Sequence, residues 1–197
     1  MKRCTIIISD SGPISSLWVA DRLDLLIVLG TRIIVVDALY DELTRDLACR
    51  KDIEIKDFIA SNSPPFLVAT TDIGEMEREK RLNGKNLKNN APELAIVDFL
   101  SSENGLDRHL RADEPVVILF EDANLKVFNR PTNLQLISTV GFLHGLEHCG
   151  VLASAEELIE EMRHPISPGR TQRDARGLIA QLIGTEEDAL LDCSWMA

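Results

Sequence analysis

The chain has 197 residues, 45% hydrophobic and 27% charged, a balance that suits one packed domain and excludes a disordered chain. Its formal net charge of -11 argues against binding nucleic acid or anionic membrane over the whole surface, but leaves room for a local basic patch. No segment approaches the roughly 20 apolar residues of a membrane span. The apolar run after the basic start meets Asp10 too soon for a signal-peptide core. Cys4, Cys49, Cys149 and Cys193 lie far apart and form no C-x-x-C pair, so the expectation is a soluble cytoplasmic protein with reduced thiols and no membrane partner.

In chain order, Thr5 to Ser9 predicts a short buried strand, and the apolar positions of Ile14 to Leu29 predict a helix closed by Gly30. Gly12-Pro13 reads as the turn between them. Arg32 to Val36 predicts a second strand and Ala38 to Ala48 a second helix. Ile53 to Ala60 reads as helical, and Phe66 to Thr70 as a third strand. Residues 72 to 90 are polar and charged and end in Asn- and Gly-rich sequence, which predicts a loop. Pro92 then opens a helix over "ELAIVDFL". Pro115 to Phe120 and Leu134 to Thr139 predict two more strands, the second followed by a helix to about Cys149. Ser154 and Glu157 make a capping-box start for a last helix to Met162. Strands alternating with helices predict an α/β domain around a mostly parallel sheet over residues 1–164. Residues 165–197 read as an extension, helical with an acidic tail.

The candidate chemistry lies in acids. Asp10 follows the first strand and Glu121-Asp122 the fourth; in a parallel sheet both lie at the carboxyl edge, where α/β domains place ligands. Glu93 falls in the first turn of its helix, in register with Ile96, Val97 and Leu100, and Glu42 borders a Leu39, Leu43, Leu47 stripe. Each has a plain alternative, as a helix cap, a dipole-compensating acid or a helix-face charge. Brought together, Asp10, Glu42, Glu93 and Asp122 repel one another and need a counter-charge, and an all-oxygen donor set favours Mg²⁺ or Mn²⁺. Such a cluster suits phosphodiester cleavage.

These pieces in this order resemble a PIN domain, the nuclease fold of VapC-like toxins. "IIISDSGPISSLWVADRLDLL" resembles its opening strand, turn and helix, and "VVDALYDEL" its second strand and Glu-bearing helix. "PELAIVDFL" resembles its acid-led helix, "VILFEDANLKVF" its Asp-Asp turn, and "LISTVGFLHGLEHCGVLASAEELIEEM" the closing turn and helices of one subgroup. The resemblance implies a three-layer α/β/α sandwich, a homodimer, a small antitoxin partner and Mg²⁺- or Mn²⁺-dependent cleavage of RNA to 3′-hydroxyl and 5′-phosphate ends. It makes Asp10, Glu42, Glu93 and Asp122 the metal-binding acids, Ser11 a supporting hydroxyl, and Glu121 and Thr139 secondary contributors. Glu93 stands where the family often has Asp. Arg78, Lys80, Arg81, Lys85 and Lys88 are candidates for RNA contact, although the interleaved Asp72, Glu75, Glu77 and Glu79 favour a solvated, salt-bridged face.

Two other readings stand beside it. A non-catalytic PIN-like interaction module agrees with the low aromatic content and the acidic balance. "HGLEH" spells the inverted zinc-peptidase motif with His144, Glu147 and His148, but it lies inside the closing PIN-like segment.

Overall fold

The computed structural model describes residues 4–85, 90–101, 105–110, 114–121, 134–165 and 169–170. Five strands, β1 (Thr5–Ile8), β2 (Arg32–Val36), β3 (Phe66–Ala69), β4 (Val116–Phe120) and β5 (Leu134–Ser138), form one sheet in the order β3-β2-β1-β4-β5. Every pairing is parallel, with Ile7 opposite Ile34 on one side and Ile118 on the other. The helices are α1 (Ser11–Val19), α2 (Asp37–Leu43), α3 (Arg50–Ser61), α4 (Asp72–Leu82), α5 (Ala91–Ser101), α6 (Leu106–His109), α7 (Thr139–His148) and α8 (Ala155–Arg163).

All four residues of β1 are buried, so the alternating side chains of "TIII" meet core on both faces, as a central parallel strand requires. Helices α2, α4 and α5 pack on one another, and α8 packs on α1 and α7. The architecture is α/β with a central parallel sheet, consistent with a three-layer α/β/α sandwich. Strands β2 and β3 extend from one side of β1, and β4 and β5 from the other. The order therefore reverses between β1 and β4, and their carboxyl ends are where α/β sheets generally place ligands.

The local differences from expectation have local causes. The helix expected to run to Leu29 stops at Val19: Asp21 takes a left-handed backbone (φ 58°), and the chain resumes as a 3-10 turn over Leu23–Leu26. Gly12 and Pro13 belong to the first turn of α1 and do not form a separate connector. Helix α2 ends at Leu43, so Leu47 leaves the expected stripe and is exposed. The stretch read as a loop from 72 is helical to Leu82, because Thr71 caps it by accepting the Gly74 N–H. The capping box at Ser154 forms, its hydroxyl accepting the Glu157 N–H at 3.2 Å. Cys4, Cys49 and Cys149 are free thiols; Cys193 lies outside the described residues.

Of the extension beyond residue 164, Pro165, Gly169 and Arg170 are described. Arg170 pairs with Asp21 at 2.9 Å and Glu54 at 2.8 Å, donates to the Trp18 carbonyl, and stacks over the Trp18 ring. It thus ties the chain after α8 to α1 and α3. No helix among the described residues is long and apolar enough to cross a membrane.

Ile7 sits fully buried at the centre of the sheet. Ile7→Ala is expected to lower unfolding free energy by about 3–4 kcal/mol, measured by urea denaturation, because the lost transfer energy and the residual cavity add.

Candidate functional site

The site begins where β1 stops. Asp10 has extended backbone and caps α1: its Oδ1 accepts the Gly12 N–H at 2.8 Å. Its Oδ2 accepts the Glu121 N–H at 3.0 Å, just past the end of β4. The Ser9 hydroxyl lies 3.2 Å from the same oxygen and 3.0 Å from the Leu119 carbonyl. One carboxylate therefore fixes the start of a helix and the end of the neighbouring strand together. The capping alternative is realised, and it places a negative charge at the topological switch point.

Glu121 is the buried partner in this arrangement, only 8% exposed. Its side chain lies against Gly12, where an added Cβ would fall 2.6 Å from both Glu121 Cβ and Oε2 and 2.7 Å from Asp10 Oδ1. The absent side chain at position 12 is what lets the two acids approach. The hydroxyls of Ser16, from α1, and Thr139, from α7, also face the Glu121 carboxyl and favour its charged form. Yet Glu121 Oε1, Ser16 Oγ and Thr139 Oγ1 are all buried with no hydrogen bond of ordinary geometry. Burial pushes the Glu121 carboxyl up to about 7; the two hydroxyls oppose the rise and the nearby Asp10 charge adds to it.

A second buried acid, Asp37, ends β2 as Asp10 ends β1. Its Oδ1 accepts the Thr71 hydroxyl at 2.7 Å and the Ala38 N–H at 2.9 Å, and its Oδ2 pairs with Arg78. Thr71 in turn accepts the Gly74 N–H at 3.0 Å, and a Cβ on Gly74 would fall 2.1 Å from Asp37 Oδ1. This network clamps the start of α4 to the end of β2. It was legible in principle, since "RIIVVD" ends in an acid as "TIIISD" does. Ser16 carried a fainter signal, a hydroxyl inside an otherwise apolar helical run.

The other expected residues are distributed as follows. Glu42 is half-buried on α2, beside Asp41, which pairs with Arg81 at 3.6 Å. Glu93 lies in the first turn of α5 but not on its buried face; Ala91, Pro92, Ala95, Ile96 and Phe99 form that face, and Glu93 is exposed. Ser11 is half-buried at the start of α1, and Thr139 is fully buried at the start of α7. Asp122 and Lys88 lie outside the described residues. Arg78, Lys80 and Arg81 are engaged with Asp37, Glu77 and Asp41, as a salt-bridged face requires, and Lys85 is exposed. His144 pairs with Glu147 at 3.4 Å, and His148 is exposed at the end of α7.

Among the described residues, no three His, Cys, Asp or Glu side chains stand together as a metal-holding group. Among the described residues, what does converge at the ends of β1 and β4 is two carboxylates and the buried hydroxyls of Ser9, Ser16 and Thr139, with Glu121 Oε1, Ser16 Oγ and Thr139 Oγ1 lacking a hydrogen bond of ordinary geometry. Carboxylate oxygens are the donors that Mg²⁺ or Mn²⁺ take, so Asp10 and Glu121 are the described residues that would hold a hard divalent cation, with Glu121 Oε1 the oxygen left without a hydrogen bond. Comparison of the chain with protein-family models, with curated proteins and with solved structures finds no match in any of the three.

Two outcomes follow from this geometry. A carboxyl that titrates near 7 when folded and at 4.5 when unfolded binds more protons folded across that window, so metal-free stability falls as pH rises from about 4.5 to 7. Glu121→Gln, neutral throughout, is expected to exceed wild type by about 3 kcal/mol at pH 8 in chelator and to lose that advantage below pH 4.5, measured by denaturant titration. Asp37→Ala leaves the Thr71 hydroxyl and Arg78 without their acceptor and is expected to cost about 2–3 kcal/mol by the same measurement.

Proposed function

We propose that the chain is a metal-dependent endoribonuclease of the PIN type, acting as the toxin of a toxin–antitoxin pair in the cytoplasm. The observation that carries this reading is the meeting of Asp10 and Glu121 at the carboxyl ends of adjacent parallel strands, with unpartnered buried oxygens around them. When bound there, Mg²⁺ or Mn²⁺ activates water and offsets charge on the scissile phosphate.

The chain's own residues do the rest. Asp10 presents its carboxylate from a strand end, held by two backbone N–H groups, so little reorganisation accompanies ion binding. Glu121 supplies the second carboxylate, and Asp122, the next residue in sequence, remains the metal-binding acid that the resemblance implies. Glu42 and Glu93, from α2 and α5, enter this reading through the resemblance in sequence alone, as does Ser11, from the first turn of α1, as the hydroxyl that orients a water. In the reaction, water oxygen bonds to phosphorus, the bond from phosphorus to O3′ breaks, and the departing O3′ takes a proton. A homodimer and a small protein that blocks the site belong to this reading through the resemblance in sequence.

A second reading, the non-catalytic interaction module, draws on one observation: both Asp10 oxygens already accept hydrogen bonds, and the α4 cations are held by acids of this chain. Cleavage of single-stranded RNA by wild type and Asp10→Asn in Mn²⁺, with and without chelator, separates the two. The nuclease reading expects Asp10→Asn to lose at least about 100-fold in rate, since an interaction made in the transition state is removed. Equal residual cleavage in both proteins overturns the site, and no cleavage by wild type supports the module.

A further inference from the structure

We propose that Ser16, inside α1, is a positioning residue that, together with Thr139, holds the Glu121 carboxylate in the orientation in which it joins Asp10 on a divalent cation. The inference rests on the metal-dependent reading above and concerns a side chain that never reaches the reacting atoms.

Ser16 lies in "PISSLWV", where Ile14, Leu17 and Trp18 are fully or almost fully buried core. A serine in a helix interior ordinarily points to solvent or donates to the carbonyl four residues back. Ser16 does neither: it is 0% exposed and its hydroxyl makes no hydrogen bond of ordinary geometry. Leaving a buried hydroxyl unpaired costs on the order of 1–3 kcal/mol, so an alanine would suit this helix better unless the hydroxyl serves a neighbour. The neighbour is Glu121: Ser16 stands one helical turn after Gly12, which lies against Glu121, and Thr139 follows Ser138, the register partner of Phe120, with an equally buried, equally unpartnered oxygen.

Three elements thus enclose one carboxylate. Gly12 presents bare backbone to one side, Ser16 and Thr139 present hydroxyls, and Asp10 holds the Glu121 N–H. Both hydroxyls are placed to donate to the Glu121 carboxylate, and such bonds turn its remaining lone pairs toward Asp10. Outer hydrogen bonds of this kind fix the direction of a ligand, and their removal commonly weakens metal binding 10–100-fold.

Isothermal titration with Mn²⁺ alone tests the assignment on the full chain. Ser16→Ala and Thr139→Val are each expected to weaken Mn²⁺ binding about tenfold or more. Ser15→Ala removes a buried hydroxyl about 100° around the same helix and is expected to match wild type. Thr139→Ser, which keeps the hydroxyl, is expected to restore most of the affinity lost in Thr139→Val. Circular dichroism and thermal midpoints of the metal-free proteins establish folding, and should Ser16→Ala not fold, the Val and Ser pair at 139 decides. Wild-type affinity in Ser16→Ala, or an equal loss in Ser15→Ala, overturns the positioning role and leaves the nuclease reading standing. A wild-type chain that binds no Mn²⁺ overturns both.

Discussion

Most of what is distinctive here depends on how one carboxylate is held. Asp10 accepts the N–H of Gly12 and the N–H of Glu121, and so joins the first turn of α1 to the end of β4 across the point where strand order reverses. Backbone donors cannot be removed by side-chain substitution, and both are nearly rigid. The charge is therefore held in place before any ligand arrives, which is the condition for strong electrostatic work at low reorganisation. Gly12 is part of the same constraint, since any side chain there would occupy the space of Glu121.

The neighbouring strand repeats the device with a different outcome. Asp37 also terminates a buried parallel strand, but its oxygens are taken by Thr71, Ala38 and Arg78. With a cation and a hydroxyl supplied by α4, this acid acts as a fastening. Near Glu121 the hydroxyls are present but, among the described residues, no cationic side chain pairs with it, and three oxygens there lack a hydrogen bond of ordinary geometry. The contrast between the two strand ends separates an acid whose oxygens are all engaged within the fold from one that keeps a buried oxygen without a hydrogen bond.

Much of the fold was legible. The five strands fall where β-branched runs stop at turn residues, and α8 begins at its capping box, because these signals are local and backbone-encoded. The misreadings have equally local origins. The run from Ile14 to Leu29 keeps apolar character through a break that Asp21 makes in the backbone, so periodicity alone concealed it. Residues 72–82 carry too many charges to look helical, yet their charges find partners on α2 and on their own helix, and Thr71 caps the start. Of the site, Asp10 was legible as a strand-end acid, whereas the burial of Glu121 was not, because an acid that follows a strand reads equally well as a solvated loop residue.

What the sequence by itself determined is the set of strands, their shared parallel direction and the presence of acids at their ends, since each follows from burial period, turn chemistry and the βα alternation. Only the tertiary structure decided which acids meet. Strand order is set by how the layers pack, and it is the adjacency of β1 and β4 that puts Asp10 on the Glu121 N–H. It also decided that Ser16 and Thr139, 123 positions apart in "SSLWV" and "STVGF", turn their hydroxyls to the same carboxyl. Side-chain direction at that distance is a property of packing, and no local pattern encodes it.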